Sequence, residues 1–128
     1  MVTPMESFEE LEVWKKAREL RISVSRLIKT FPKEENSRLR DQILRSSRSV
    51  TANIAEGFGR FHHQENIQFC RQARGSVHET LDHIICAFDE AYIQKSDLEM
   101  YRELIKACLK LLNGYIAYLK KAKTRDSQ

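Results

Sequence analysis

Apolar residues recur at three- and four-residue steps along almost the whole chain, and the few interruptions fall where a helix would have to stop. The first stretch, about 8–31, carries Val13, Ala17, Leu20, Val24, Leu27, Ile28 and Phe31 on one face and meets Pro32, which has no N–H for the helix ladder. The second, about 37–57, turns Leu39, Ile43, Ser46, Ser47, Val50 and Ile54 inward. It is expected to stop at Gly57 and Gly59 through the positive φ that glycine tolerates. The third, about 63–93, has the stripe Ile67, Cys70, Val77, Leu81, Ile84, Ile85, Phe88 and Tyr92. The fourth, about 97–122, opens on Ser96-Asp97-Leu98-Glu99, which has capping-box spacing. Its stripe of Leu98, Tyr101, Leu104, Ile105, Cys108, Leu111, Leu112, Tyr115 and Leu119 is wider than a coiled-coil seam, so this helix is expected to be the most buried. The residues beyond it are expected to fray into solvent. Four helices with short links predict one all-α domain over 1–128, an antiparallel up-down-up-down four-helix bundle.

Composition agrees with this reading. Only 4 Gly and 2 Pro among 128 residues, with 31% charged, suit long helices better than a turn-rich β fold. No run of about 18 apolar residues occurs, and Glu and Lys interrupt the first twenty positions where a secretion leader would be apolar. A soluble, cytoplasmic protein with no membrane partner is therefore expected. Cys70, Cys86 and Cys108 lack CxxC spacing and read as free thiols in a reducing compartment. The net charge of +4 permits a polyanionic partner without requiring one.

Charge is distributed unevenly. Lys15, Arg18, Arg26 and Lys29 fall on the face of the first helix opposite its apolar stripe. Leu11 and Ile22 are set among them and Trp14 lies beside them, which points to a contact surface between subunits. On the second helix Arg38, Arg45 and Arg48 point outward, and the segment 38–48 holds four basic residues against Asp41. From Ser76 to Tyr92 the third helix carries Glu79, Asp82, Asp89 and Glu90 with no Lys or Arg. Two positions disturb that helix. Gly75 sits mid-helix, where it costs about 0.5–1 kcal/mol relative to alanine, and it is expected to admit the second helix or another subunit. Arg74 at the stripe edge is expected to meet a carboxylate, with Glu56 and Glu79 as the candidates.

Several segments occur in the order and spacing of one family: Phe8-Glu-Glu-Leu-Glu-Val-Trp14-Lys-Lys-Ala17, Phe31-Pro32-Lys-Glu-Glu35, Ser49-Val-Thr-Ala-Asn53-Ile-Ala-Glu56-Gly57-Phe-Gly59-Arg60, and Ala73-Arg-Gly75-Ser76-Val-His-Glu79. Over roughly residues 8 to 118 the chain resembles the four-helix-bundle proteins encoded in intervening sequences of bacterial 23S ribosomal RNA genes. That resemblance implies a bundle that assembles as a ring-like homopentamer and has no established enzymatic activity. It also implies similarity to the accessory protein of diversity-generating retroelements, which partners a reverse transcriptase and RNA. Asn53, Glu56, Gly57, Arg60, Gly75, Ser76 and Glu79 match the family's polar and glycine motif. With Arg74 they read as a structural cluster joining the second and third helices.

Catalytic patterns are weak. His78 and His83 are five apart, which turns them about 140° from one another on a helix, and neither HExxH nor HxxxH occurs. His62-His63 reads as an exposed helix start, and Cys70 and Cys108 as small hydrophobes within apolar stripes. Gly57-Phe-Gly59 lacks the lysine and spacing of a phosphate loop. No cofactor, metal or small-molecule substrate is implied. The expected function is a non-enzymatic oligomeric scaffold that engages RNA or an RNA-processing partner through Lys15, Arg18, Arg26, Lys29, Arg38, Arg45 and Arg48. The alternative is a purely protein-binding adaptor whose basic and acidic faces pair between subunits.

Overall fold

The computed structural model describes residues 5–33 and 38–126. Four long helices make up the fold: α1 Glu12–Leu27, α2 Arg38–Phe58, α3 His63–Asp89 and α4 Lys95–Asp126. Short 3₁₀ turns, Phe8–Glu10 and Ile28–Thr30, flank α1. Cross-helix bonds fix the topology. Ser46 and Ser49 of α2 meet Thr80 and Ser76 of α3, and Gln64 and Arg74 of α3 meet Lys123 and Asn113 of α4. Numbers rise along one helix as they fall along its partner, so α2 and α3, and α3 and α4, run antiparallel. α1 packs on α2 and α4, and α3 packs on the same two, which places α1 and α3 across the diagonal of the bundle. The all-α four-helix bundle is the architecture that the periodicity predicts.

Each apolar stripe turns inward. Leu20, Val24, Ile43, Val50, Ile54, Ile84 and Leu112 are fully buried. At about 25 cal/mol per Å² removed from water, these side chains are the main stabilising contribution. Cys70 and Cys108 lie in the same core, and burial pushes both thiols up to about 11. Ser46 and Ser47 are also buried, each returning its hydroxyl to a carbonyl one turn back, Ile43 and Leu44 respectively.

Helix ends depart from expectation in four places. The first helix is not continuous from Phe8. Leu11 takes an extended conformation (φ −71°, ψ 126°) as the N-cap of α1, so helical phasing does not govern it. Its side chain turns into the core at 6% exposure, and the expectation of Leu11 on an outer intersubunit face is overturned. Helix α3 stops at Asp89 rather than near 93. Ala91 adopts φ 62°, the Ala91 N–H donates to the Phe88 carbonyl and the Tyr92 N–H to the Ala87 carbonyl, which is a Schellman stop built without glycine. Tyr92 then packs on Phe31 at 5.5 Å between ring centroids. Helix α4 starts at Lys95, with the Asp97 carboxylate accepting from the Gln94 N–H, so Ser96 does not cap it. Its C-terminal turns remain helical to Asp126. The expected start of the second helix near 37 lies outside the described residues.

Gly57 corrects the glycine reading. No glycine has positive φ, and α2 continues through Gly57 to Phe58. What Gly57 provides is proximity: a Cβ there would stand 2.6 Å from Asn66 Oδ1 and 2.9 Å from Phe69 Cβ. Gly75 is the reverse case. It points directly away from the bundle, with nothing within 4 Å of the position a Cβ would occupy, so α2 does not pack on it.

Candidate functional site

Two groups of residues stand out from the sequence, and the structure treats them differently. The polar and glycine motif divides. At the α2–α3 seam, the Ser76 hydroxyl bonds Ser49 at 3.0 Å, and Asn53 holds Ser49 through its carbonyl and hydroxyl at 2.9 and 3.0 Å. Arg60 ties the turn together, 2.7 Å from Glu56, 3.7 Å from Glu65 and stacked over Phe69 at 5.0 Å. Arg74, Gly75 and Glu79 do not join this cluster, because their positions around α3 face α4 or solvent. Arg74 Nη1 donates to Asn113 Oδ1 at 2.9 Å on α4. A neutral amide at the half-exposed stripe edge satisfies it, and neither Glu56 nor Glu79 is its partner. Glu79 is exposed and sits 3.5 Å from His83.

Of the seven predicted basic residues, Arg26, Lys29 and Arg48 come together in one groove, while Lys15 and Arg18 line the other side of α1 and Arg38 and Arg45 line neither. Lys15, Arg18 and Arg26 on α1, Lys29 on the 3₁₀ turn that follows it, and Arg38, Arg45 and Arg48 on α2 are all exposed. Helical phasing puts them outward because the core stripes occupy the opposite faces. Between α1 and α2 runs a groove of about 240 Å³ lined by Arg21, Ile22, Ser25, Arg26, Lys29, Leu44 and Arg48. Four of these side chains are cationic and none is acidic. Arg26, Lys29, Arg45 and Arg48 form no ion pair among the described residues. By contrast Lys15 lies 3.3 Å from Glu12, and Arg18 sits over the Trp14 ring at 5.8 Å. Trp14 and Ile22, expected at a subunit contact, are half-buried. Trp14 packs edge-on against Phe8 at 5.1 Å, and Ile22 lines grooves on both sides of α1.

Arg21 is the groove residue that sequence reading missed. It is half-buried, and its Nη1 donates to Thr51 Oγ1 at 3.0 Å, which fixes the guanidinium between α1 and α2. Its position four residues after Ala17 and three before Val24, at the border of the α1 stripe, was the available signal. Arg40, another cation of α2, turns the other way and clamps the Phe31 carbonyl at 3.1 Å. No helix of the described residues is long and apolar enough to cross a membrane.

The model for 23S rRNA-intervening sequence proteins matches residues 9–114. The chain belongs to that family. A solved structure, a protein of unknown function from the S23 ribosomal protein family of Bacteroides thetaiotaomicron, superposes with a TM-score of 0.74 at 26% identity, over 81% of this chain and 97% of that one. No curated protein matches the sequence. The family assignment agrees with the segments quoted above and brings no established activity with it.

Proposed function

We propose that this family member is a non-enzymatic scaffold that engages RNA through the shared outer face of α1 and α2. The observation that carries the reading is the groove in which Arg21, Arg26, Lys29 and Arg48 come together with no carboxylate in its lining. Cations grouped in this way neutralise successive phosphates and release their counterions, so affinity depends on salt rather than on base sequence. The non-enzymatic part is supported by how the candidate catalytic groups are placed. Glu56 is bound to Arg60, Glu79 is exposed, and the thiols of Cys70 and Cys108 are buried and raised to about 11. Filter binding of a structured RNA hairpin at about 50 and about 200 mM salt tests the proposal. Affinity is expected to fall by orders of magnitude over that range. Absent or salt-independent binding overturns it.

A second reading rests on charge segregation across the bundle. The outer face of α3 and its C-cap expose Glu79, Asp82, Asp89 and Glu90 diagonally opposite the basic face of α1. Copies joined head to tail would pair the two faces and form a homo-oligomer, the ring-like pentamer being one such closure. Arg18→Glu with Arg26→Glu separates the readings. Light scattering that falls to the 15.1 kDa chain mass with RNA affinity unchanged supports the protein-binding adaptor.

A further inference from the structure

Helix α4 carries two apolar stripes where a bundle helix needs one. The inner stripe, which includes Tyr101, Ile105, Cys108, Leu112 and Leu119, is buried in the core. The second consists of Met100, Leu104, Ala107, Leu111, Gly114 and Tyr118, in alternating steps of four and three, the spacing with which one helix receives another. Met100 and Tyr118 are 51% and 57% exposed, and Leu104, Ala107 and Leu111 are half-buried. At Gly114 nothing lies within 4 Å of the Cβ position, so a neighbouring backbone can approach closely. The stripe borders a groove of about 770 Å³ between α1 and α4, with Ile22, Leu27, Met100 and Leu104 in its lining. The α1 wall of that groove presents Lys15, Arg18 and Arg26. Its one carboxylate, Glu19, is held by Lys16 at 2.9 Å.

We propose that this stripe receives an acidic amphipathic helix of a partner protein. Apolar residues at heptad spacing would cover Met100 to Tyr118, and flanking carboxylates would face Lys15, Arg18 and Arg26. Helices laid into grooves in this way are a recurrent recognition mode. This chain's own helices fit poorly. The outer face of α3 is acidic but polar, with Arg71, Gly75, His78, Glu79 and Asp82, so it has nothing to fill an apolar stripe. A second copy's α4 would supply the apolar residues, but its α1 wall would meet the basic wall of the first, and its far flank, where Glu99 and Glu103 accompany Lys110 and Lys121, brings no net acidity. Apolar pattern and charge together select a different helix. This inference shares Lys15, Arg18 and Arg26 with the RNA reading, but its test leaves those basic residues untouched.

The test is fluorescence anisotropy of the full chain with two labelled peptides of about three heptads each, both with leucine at a and d, one with glutamate and the other with lysine at e and g. The glutamate peptide is expected to bind saturably in the micromolar range and the lysine peptide about tenfold or more weakly. Met100→Glu and Tyr118→Glu, both on the surface, are each expected to weaken the glutamate peptide about tenfold. Gly114→Trp, at a site open to solvent, should do the same by blocking approach while circular dichroism remains that of the wild type. RNA affinity should be unchanged in all three variants, which separates failure of this inference from failure of the RNA reading. No saturable binding, equal binding of both peptides, or wild-type affinity in the variants overturns the proposal. So does a wild-type oligomer that Met100→Glu or Tyr118→Glu dissolves, because the stripe would then belong to a second copy.

Discussion

Two opposite seams of the bundle, α2 on α3 and α1 on α4, differ in how completely they are closed. Between α2 and α3, small residues let the backbones approach, and their hydroxyls bond one another. Thr80 Oγ1 lies 2.8 Å from Ser46 Oγ, Ser76 meets Ser49, and Gly57 leaves no room even for a methyl group. Between α1 and α4, large residues such as Leu27, Met100, Tyr101 and Leu104 hold the helices around an open groove, which a polar link from Ser23 to Tyr101 at 2.8 Å crosses. The contrast separates two uses of sequence. Small and hydroxylated residues make the permanent seam, while large apolar and basic residues remain where the bundle itself does not use them.

Substitutions test that contrast, and the largest effect is expected at the seam. Gly57→Ala places a Cβ against Phe69 and Asn66 and should cost about 1–3 kcal/mol, read as a lower urea midpoint. Thr80→Val keeps the shape but removes a buried hydroxyl from Ser46 and Ser76, and should cost about 1–2 kcal/mol. On the open faces the sign reverses. Gly75→Ala and Gly114→Ala should each stabilise by about 0.5–1 kcal/mol, because helix propensity improves and no neighbour objects. Wild-type stability in Gly57→Ala, or a loss in Gly75→Ala, would break the comparison.

The thiols report the same division chemically. Cys86 is exposed, whereas Cys70 and Cys108 are buried with thiols near 11. A thiol reagent should modify Cys86 first in the native protein and all three cysteines only in denaturant. Their linkage to folding has a definite sign. The unfolded chain loses these two protons near 9.0 and the folded chain only near 11, so stability should fall as pH rises through that window. A flat stability profile across it would count against the burial.

Much of the fold was legible because the 3.6-residue period runs through all four helices and survives in the buried stripes. The helix ends were harder to read. Ala91 occupies a left-handed position that glycine usually marks, and Leu11 leaves helical phase one residue before α1 begins. Neither event changes composition, so periodicity passes over both. The expectation that α4 would be the most buried helix failed for a related reason. Eight of its 32 residues are buried against eight of 21 in α2, because periodicity shows that a stripe is apolar but not that something covers it. At the candidate site, the outward cations of α1 could be read from helical phase. The groove could not, because it depends on the approach of α2 and on Arg21 being turned by Thr51.

The proposed function rests on the outer cations and not on the glycine and serine seam. The direct measurement is RNA affinity of Arg26→Glu/Arg48→Glu set beside its urea midpoint. The expected result is at least about tenfold weaker binding and a shallower salt dependence, by roughly one phosphate contact per residue, at an unchanged midpoint. Wild-type affinity and salt slope in that variant, or a loss of affinity that only follows a fall in the midpoint, would contradict it.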